Sequence, residues 1–265
     1  MNSCETYTLG YSHNAVGFMA RRTIESHAAF VMPRLKAGWR VLDCGCGPGT
    51  VTLGLARMVF PGEVIAIDQE PSQLELARQN AAAAQVTNVG FQNGSVYELP
   101  FADEQFDLVF AHAVFEHLKE PAAALGQIRR VLKPGGTVAL RSPDWGGFLF
   151  WPGNPRLEAA IEYYKMLQNG NGGDVYAGRK LKALLAASGF QNVCASATYE
   201  SVQPLEVITE FIAQRIEESA AKNAAIERGW ITVSKLQESA AALRELQHQP
   251  GGFFAIAWCE VLGVK

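Results

Sequence analysis

The sequence has no long apolar run and no marked excess of charge. No stretch of about 18 apolar residues occurs, so no transmembrane helix is expected. The 23 Lys and Arg residues and 26 Asp and Glu residues give a formal net charge of −3, so the chain lacks the excess of positive charge that binds nucleic-acid phosphates. The first residues are polar and contain no apolar signal core. These absences predict a cytoplasmic protein without membrane or nucleic-acid partners.

Cysteine is scarce and odd in number. The sequence contains five, scattered along the chain: Cys4, Cys44, Cys46, Cys194 and Cys259. Such spacing does not suit a disulfide framework and fits a reducing compartment. The pair at 44 and 46 would need two further ligands to hold a metal ion, and none follows at a suitable spacing. We therefore predict no disulfides and no metal site.

From residue 39 the sequence alternates short apolar runs with amphipathic stretches. Strands are predicted at 39–44, 63–68, 89–92, 106–111, 137–141, 190–199 and 253–262. Helices are predicted at 50–58, 71–84 and 121–132, which alternate with these strands as in βαβ units. The pattern therefore predicts an α/β protein with a doubly wound, Rossmann-like, seven-stranded and mostly parallel sheet. Helices would cover both faces, and a ligand crevice would lie at the carboxyl ends of the strands.

Further helical stretches accompany this core. Residues 1–38 contain an amphipathic stretch around 15–32 and are predicted to form a helical lid before a main domain at 39–265. Within that domain, 145–178 and 204–246 are predicted to be inserts that cover a substrate. The second insert is helical and either roofs a pocket or makes a homodimer contact, and the sequence does not decide between the two.

The segment Val41–Thr50 (VLDCGCGPGT) carries the strongest signal for a ligand. A buried strand runs into Gly45, Gly47 and Gly49, where glycine permits a tight turn and the close approach of a ligand. The helix that starts behind the turn offers free N–H groups. Asp68 lies 19 residues after Gly49, at the end of the second strand, where a carboxylate can accept both hydroxyls of a ribose.

Three explanations of this turn and its distant acid are open. A dinucleotide site has the spacing Gly-x-Gly-x-x-Gly, but here the spacing is Gly-x-Gly-x-Gly and Thr50 occupies the place of the third glycine. Asp43 would repel a pyrophosphate, whereas it can hold an ammonium group. The site therefore favours S-adenosyl-L-methionine (SAM), which joins an adenosine to a cationic amino acid. A purely structural glycine turn is the third alternative.

Four segments together resemble the class I SAM-dependent methyltransferases, and above all the ubiquinone/menaquinone-biosynthesis type and its small-molecule relatives. They are VLDCGCGPGT (41–50), VIAIDQEPSQLELAR (64–78), LPFADEQFDLVFAHAVFEHL (99–118) and RRVLKPGGTVAL (129–140). The resemblance implies that residues 39–265 form a methyltransferase domain, which transfers a methyl group from SAM to a small, apolar or aromatic molecule. S-adenosylhomocysteine would be the second product. Quinone-precursor or secondary-metabolite methylation is the family-level expectation.

The resemblance also implies which residues hold the cofactor. They are Asp43, Gly45, Gly47 and Gly49 at the methionine end, Asp68 and Gln69 at the ribose, Gly94, Ser95 and Val96 at the adenine, and Ala111 and His112 beneath the methyl group. Ser95 replaces the family's usual Asp, so its hydroxyl and the Val96 N–H would carry adenine recognition. In similar enzymes the segment before the first strand folds over the cofactor. We expect Tyr11 or Arg22 to reach the cofactor carboxylate, with a solvated surface helix as the alternative.

The choice of catalytic residue depends on the acceptor atom, for which the sequence leaves oxygen, nitrogen and carbon open. A phenol, hydroxyl or carbon acid needs a positioned base, whereas an amine needs little more than deprotonation. The candidate bases are His117, His112, His13 and Asp144, each with a structural role as the alternative. An aromatic cluster after the fifth strand either walls an acceptor or is a core patch: Trp145, Phe148, Phe150 and Trp151. Rival functions are a SAM-fold enzyme with other chemistry, a non-catalytic SAM-binding module and a nicotinamide-dependent oxidoreductase.

Overall fold

The computed structural model describes residues 13–218, 220–227, 229 and 231–265. The strands in these residues are β1 (Arg40–Cys44), β2 (Glu63–Asp68), β3 (Val89–Asn93), β4 (Phe106–His112), β5 (Leu132–Pro143), β6 (Leu149–Trp151), β7 (Gln191–Ser201) and β8 (Phe253–Val264). The α-helices are α1 (His13–Ala20), α2 (Ile24–His27), α3 (Thr50–Val59), α4 (Pro71–Ala83), α5 (Pro121–Val131), α6 (Pro155–Gly170), α7 (Ala177–Ala187), α8 (Leu205–Glu218), α9 (Ala220–Glu227) and α10 (Val233–Leu246). Two short 3₁₀ helices span Met32–Arg34 and Phe115–His117.

All eight strands belong to one sheet, which is parallel from β3 to β5. Its order is β3-β2-β1-β4-β5-β8, and β8 runs antiparallel to β5. Two strands flank β8 further along, because Ala255 pairs with Leu149 of β6 and with Ser201 of β7. The predicted doubly wound, Rossmann-like fold is confirmed. The predicted count of seven strands was wrong, since the three residues of β6 add an eighth strand that is too short for a periodic signal.

Consecutive residues of the central strands face opposite layers of helices. On β1, Val41 packs with Leu55 of α3 on one face of the sheet. Leu42 packs in the cluster that contains Leu125 of α5 and Leu185 of α7 on the other face. Because both faces are covered, the strands have no polar side, which explains their continuous apolar runs.

The predicted helical stretch at 15–32 is interrupted in the structure. Thr23 has extended backbone angles (φ −128°, ψ 167°) and starts α2 as its N-cap. Its hydroxyl accepts from the Ser26 N–H, and the Ser26 hydroxyl accepts in return from the Thr23 N–H. This capping box favours a new helix over continuation of α1. His27 then joins this segment to the sheet, because its Nε2 lies 3.2 Å from Glu200 Oε2 on β7.

The helical inserts pack over one end of the sheet. Tyr164 of α6, Ile212 of α8 and Leu243 of α10 are buried in one apolar cluster with Phe254 and Ile256 of β8. The insert at 204–246 is therefore fixed to the same body as the sheet. None of the helices in the described ranges has the length and apolar character needed to cross a bilayer.

Candidate active site

A cavity opens where the glycine turn follows β1. Its empty space is about 1050 Å³, counted out to its mouth in open solvent. Its wall contains ten of the residues expected at the site: Arg22, Asp43, Gly45, Gly47, Asp68, Gln69, Gly94, Val96, His112 and His117. We call it the glycine-turn cavity. It lies between β2 and β4, the two parallel neighbours of β1, where the order of the strands reverses and ligands bind in open α/β sheets.

The three glycines of the turn serve different purposes. Gly45, Gly47 and Gly49 all have positive φ, of 74°, 52° and 78°, a region that side chains other than glycine rarely adopt. Gly49 is the N-cap of α3, and a Cβ on it would lie 2.9 Å from the Ala77 Cβ. It is absent from the cavity wall, so its expected cofactor contact is not supported. Position 49 needs a glycine so that the start of α3 can pack against Ala77 of α4.

Two carboxylates give the glycine-turn cavity its negative charge. Asp43 is 2% exposed, and burial raises its pKa to about 7, although the Thr52 hydroxyl donates to Oδ2 at 2.6 Å. Asp68 accepts from the Gly47 N–H at 2.8 Å and from the Glu70 N–H at 3.0 Å, which holds the turn beside β2. Burial raises the pKa of Asp68 as well. A buried acid and a partly buried acid at one cavity suit a ligand that carries positive charge.

Two of the three residues expected at the adenine lie on the wall of the glycine-turn cavity, and the third, Ser95, does not. Gly94 and Val96 lie there beside Gln69. The Ser95 hydroxyl accepts from Gln69 Nε2 at 3.1 Å and from the Tyr97 N–H at 3.2 Å. Ser95 therefore orients Gln69, and the expected direct contact of its hydroxyl with adenine is not supported.

The floor of the cavity follows from the alternation of β4. Phe110 and His112 line the cavity, whereas Ala111 between them is buried in the core on the opposite face. The expectation that Ala111 lines the site is therefore not supported. The His112 ring lies 4.7 Å from the Trp258 ring, and burial lowers its pKa well below the usual value. Neither ring nitrogen of His112 has a hydrogen-bond partner among the described residues.

A second cavity, of about 420 Å³ including its opening, adjoins the first. Arg22, Ala113 and His117 line both cavities. Aromatic rings make up much of the remaining wall, namely Phe18, Trp145, Phe148, Tyr164, Phe211 and Trp258. We call it the aromatic cavity. Its wall is largely apolar and adjoins the glycine-turn cavity.

The aromatic cluster expected after β5 is divided in the structure. Trp145 stacks between Phe148 and Tyr164, with ring centroids at 4.1 and 4.0 Å, and these three rings line the aromatic cavity. Phe150 packs near Phe254 instead, and Trp151 is 65% exposed. Two members of the predicted quartet therefore face the cavity and two do not.

Two helices that are distant in sequence, α1 and α8, meet over the aromatic cavity. Phe18 of α1 stacks on Phe211 of α8 at 4.5 Å, and both rings are on the wall. Arg22 follows in the same N-terminal segment and reaches both cavities. Tyr11, the alternative ligand of the cofactor carboxylate, and the side chain of His13 lie outside the described residues.

Glu116 is a candidate that sequence reasoning missed. It is 2% exposed and lines the aromatic cavity, and Ser142 Oγ donates to its Oε2 at 2.9 Å. Burial raises the pKa of Glu116 to about 7, whereas burial lowers the pKa of neighbouring His117 to about 3. In the sequence it is an acid beside a histidine directly behind β4, and this pattern does not show that the acid is buried.

The expectation that Asp144 is a base does not fit its surroundings. Arg179 donates to both of its carboxylate oxygens at 2.6 Å, and the Gly146 N–H donates to Oδ1 at 2.9 Å. Burial opposes ionisation, but these hydrogen bonds outweigh it and lower the pKa of Asp144. Asp144 is also absent from the walls of both cavities. Its geometry is that of a residue that joins β5 to α7.

The cysteines of the turn have no metal-binding partners in the part of the chain that the structure describes. No cluster of three His, Cys, Asp or Glu side chains there could hold a metal ion. Cys44 is buried, and burial raises the pKa of its thiol well above the usual value. Both properties are those of an apolar side chain in a core.

The sheet order, the glycine turn and the paired acids define the class of Rossmann-like SAM-dependent methyltransferases. A methyltransferase domain family matches residues 35–220, and the chain belongs to this family. An uncharacterized methyltransferase of Schizosaccharomyces pombe is 34% identical over 189 residues, which are 67% of each chain. The probable methyltransferase ltbC of Aspergillus luteorubrus is 28% identical over 278 residues, covering 98% of this chain and 97% of its own. A phosphoethanolamine N-methyltransferase of Haemonchus contortus, solved with SAM, has a TM-score of 0.55 at 20% identity and covers 89% of this chain and 51% of its own.

The glycine-turn cavity fits SAM as the cofactor of this enzyme. The cofactor carries an ammonium group and a sulfonium, and the wall presents to them the buried carboxylate of Asp43 and the partly buried carboxylate of Asp68. A Cβ on Gly47 would approach no described atom more closely than 3.8 Å, at Met19 Sδ, so the space beside this glycine is open for a ligand. The chain is thus a SAM-dependent methyltransferase.

Proposed function

We propose that this methyltransferase acts on a small apolar or aromatic acceptor bound in the aromatic cavity. The observation that carries the proposal is the shared wall of the two cavities, formed by Arg22, Ala113 and His117. SAM supplies an electrophilic methyl group with sulfur as the leaving group. The shared wall is where an acceptor atom can meet that group in line with sulfur.

The cofactor roles follow from the chemistry of the wall residues. Asp43 takes the ammonium group and Arg22 the carboxylate of the methionine end, while Tyr11 keeps its proposed role there. Asp68 accepts from the ribose hydroxyls with its remaining lone pairs, and Gln69 lies beside it. Gly94 and Val96 leave room for a flat base, with His112 below the methyl group.

The covering helices supply the exclusion of water that methyl transfer needs. Ile208 and Phe211 of α8 meet Phe18 of α1 above the aromatic cavity. An apolar roof of this kind keeps water from competing with the acceptor and strengthens the charge interactions below it. We therefore propose the role of a roof for the insert at 204–246, which is one of the two alternatives that the sequence left open.

The test is transfer of labelled methyl groups to a panel of acceptors. We expect transfer from labelled SAM to flat aromatic phenols or amines and not to sugars or nucleic acids. Binding of S-adenosylhomocysteine without transfer to any acceptor would indicate a non-catalytic SAM-binding module. Tighter binding of NADH than of S-adenosylhomocysteine would indicate an oxidoreductase.

A substitution in the roof tests the location of the acceptor. Ile208→Trp fills part of the aromatic cavity and should raise the acceptor KM at least tenfold, while the Kd of S-adenosylhomocysteine stays within twofold. Glu206→Trp places the same side chain on the exposed face of α8 and is the matched control. Thermal unfolding of both variants checks folding, because overpacking costs about 1–3 kcal/mol. An unchanged acceptor KM in a folded Ile208→Trp variant would place the acceptor elsewhere.

A further inference from the structure

We propose that Glu116 is a catalytic residue that receives the proton of the acceptor, and that the acceptor is consequently a phenol. This inference rests on the proposed function, because it concerns the molecule held in the aromatic cavity. It assigns a proton acceptor to a site for which the sequence offered only histidines and Asp144.

The carboxylate of Glu116 is held in place with one oxygen available. Ser142 Oγ donates to Oε2 at 2.9 Å, and no described residue donates a hydrogen bond to Oε1. His117 Nε2 lies 3.6 Å from Oε1, which is too long for a hydrogen bond. Oε1 is therefore the atom that can accept from a ligand in the aromatic cavity.

The backbone around Glu116 is equally fixed. Its carbonyl accepts from the Asp174 N–H at 2.8 Å and from Gln168 Nε2 at 3.3 Å. These contacts join the 3₁₀ turn after β4 to the end of α6, which also supplies the Tyr164 ring of the cavity wall. A carboxylate supported in this way keeps its position without help from a ligand, as a general base requires.

Within the described part of the chain, the charged and titratable groups that act on Glu116 come from three elements. They are Arg22 from the N-terminal segment, His117 from its own turn and Tyr164 from α6. Burial dominates over the opposing effects of Ser142 and Arg22, so the pKa of Glu116 is raised to about 7. His117, with a pKa lowered to about 3, is much the weaker base.

The proton transfer balances in charge as well as in atoms. A lone pair on the phenol oxygen forms the bond to the methyl carbon, and the carbon–sulfur bond breaks with its electron pair left on sulfur. The O–H bond breaks and its proton passes to Oε1 of Glu116. Before the step the site contains one sulfonium and one carboxylate, and afterwards both are neutral. Burial penalises the charged pair more than the neutral one and thus favours the forward direction.

The acceptor class follows from the strength of the base. A neutral amine can attack the methyl group without losing a proton first, so a buried carboxylate would add little. An aliphatic hydroxyl is far too weak an acid for a carboxyl with a pKa of about 7. A phenol, with a pKa near 10 like tyrosine, is much closer, and its ring suits the stacked Trp145 and Tyr164.

The first experiment needs no acceptor. The protein is labelled with ¹³C at the glutamate carboxyl carbons, and the Glu116 signal is assigned by its loss in Glu116→Gln. We expect Glu116 to titrate near pH 7 with S-adenosylhomocysteine bound, and about one unit lower with SAM bound because of the nearby sulfonium. A pKa near the ordinary 4.3, or equal pKa values with the two ligands, would overturn the proposal.

The second experiment uses 1-naphthol and 1-naphthylamine as matched two-ring probes. We expect methylation of the naphthol, with kcat lowered at least about 100-fold in Glu116→Gln, and the acid limb near pH 7 lost from the pH profile. The Kd of S-adenosylhomocysteine should stay within twofold. The control Glu120→Gln, at an exposed position of the same loop, should leave kcat unchanged.

The outcomes separate this inference from the proposed function. Transfer to the naphthylamine alone, or full naphthol turnover in Glu116→Gln, overturns the role of Glu116 and keeps the proposed function. No transfer to either probe or to the wider acceptor panel overturns both. If Glu116→Gln fails to fold, Ser142→Ala provides the second variant. It should raise the pKa of Glu116, because the carboxylate loses a hydrogen-bond donor. The pH below which kcat falls should rise with it, and an unchanged pH profile of kcat would overturn the proposal.

Discussion

Replacing Asp43 by Asn separates the cost of a buried charge from its use in binding the cofactor. Burial raises the pKa of Asp43 from 3.8 to about 7. The folded protein therefore binds the extra proton more tightly than the unfolded chain does. This contribution to the free energy of unfolding is fully present below about pH 4 and is lost as the pH rises through about 7. A shift of about three units corresponds to roughly 2–4 kcal/mol once allowance is made for relaxation of the site.

The isosteric Asn removes the charge and keeps an oxygen for the Thr52 hydroxyl, which donates to Asp43 at 2.6 Å. We therefore expect Asp43→Asn to be more stable than the wild type at pH 8, by roughly 2–4 kcal/mol, and equally stable at pH 4. The same variant should bind S-adenosylhomocysteine about 10–100-fold more weakly, because the ammonium group loses a charged partner.

Urea unfolding at pH 4 and at pH 8 measures the first effect, and titration calorimetry measures the second. Because Glu116 also titrates near pH 7, only the difference between the two proteins isolates Asp43. A variant less stable than the wild type at pH 8, or a stability difference that does not change with pH, would refute the reasoning. Unchanged affinity would show that Asp43 does not contact the ammonium group.

Three further substitutions test other parts of the structure. Asp68→Asn should weaken binding of S-adenosylhomocysteine about 10–100-fold, because charged hydrogen bonds to the ribose are worth roughly 1.5–3 kcal/mol each, and unchanged calorimetric affinity would contradict the ribose role. Gly49→Ala should lower the free energy of unfolding by about 1–3 kcal/mol, since φ is +78° and the new Cβ would lie 2.9 Å from that of Ala77. A urea midpoint equal to that of the wild type would contradict this prediction. Asp144→Asn should cost about 1 kcal/mol of stability through the half-exposed Arg179 and leave kcat near the wild-type value, whereas a large fall in kcat with unchanged stability would restore Asp144 as a base.

Much of the fold could be predicted because its signals are local. Each central strand is a short apolar run bounded by turn residues, and the glycine turn at 45–49 follows β1 directly. The eighth strand could not be predicted, because Leu149–Trp151 becomes a strand only by pairing with β8, about a hundred residues later. The break in the N-terminal helical stretch depends on the capping box at Thr23, whose signal is weaker than the apolar periodicity around it.

The sequence predicted one part of the site better than the other, for the same reason. The residues proposed to bind the cofactor lie at the ends of successive parallel strands, so their order in the sequence already brings them to one edge of the sheet. The sequence could not show the direction of each side chain, as at Ala111, which faces the core, and Ser95, which accepts a hydrogen bond from Gln69. Glu116 was missed because an acid next to a histidine has no value as a signal until its burial is known.

The sequence by itself determined the sheet, the glycine turn and the methyl donor, because these depend on spacing along one continuous stretch of chain. The tertiary structure alone decided what faces the donor. The aromatic cavity takes Phe18 from the first helix, Glu116 from the turn after β4, Tyr164 from α6 and Phe211 from α8. No periodicity in the sequence relates these residues, and only the packing of the helical insert onto the sheet brings them together and buries a carboxylate among them.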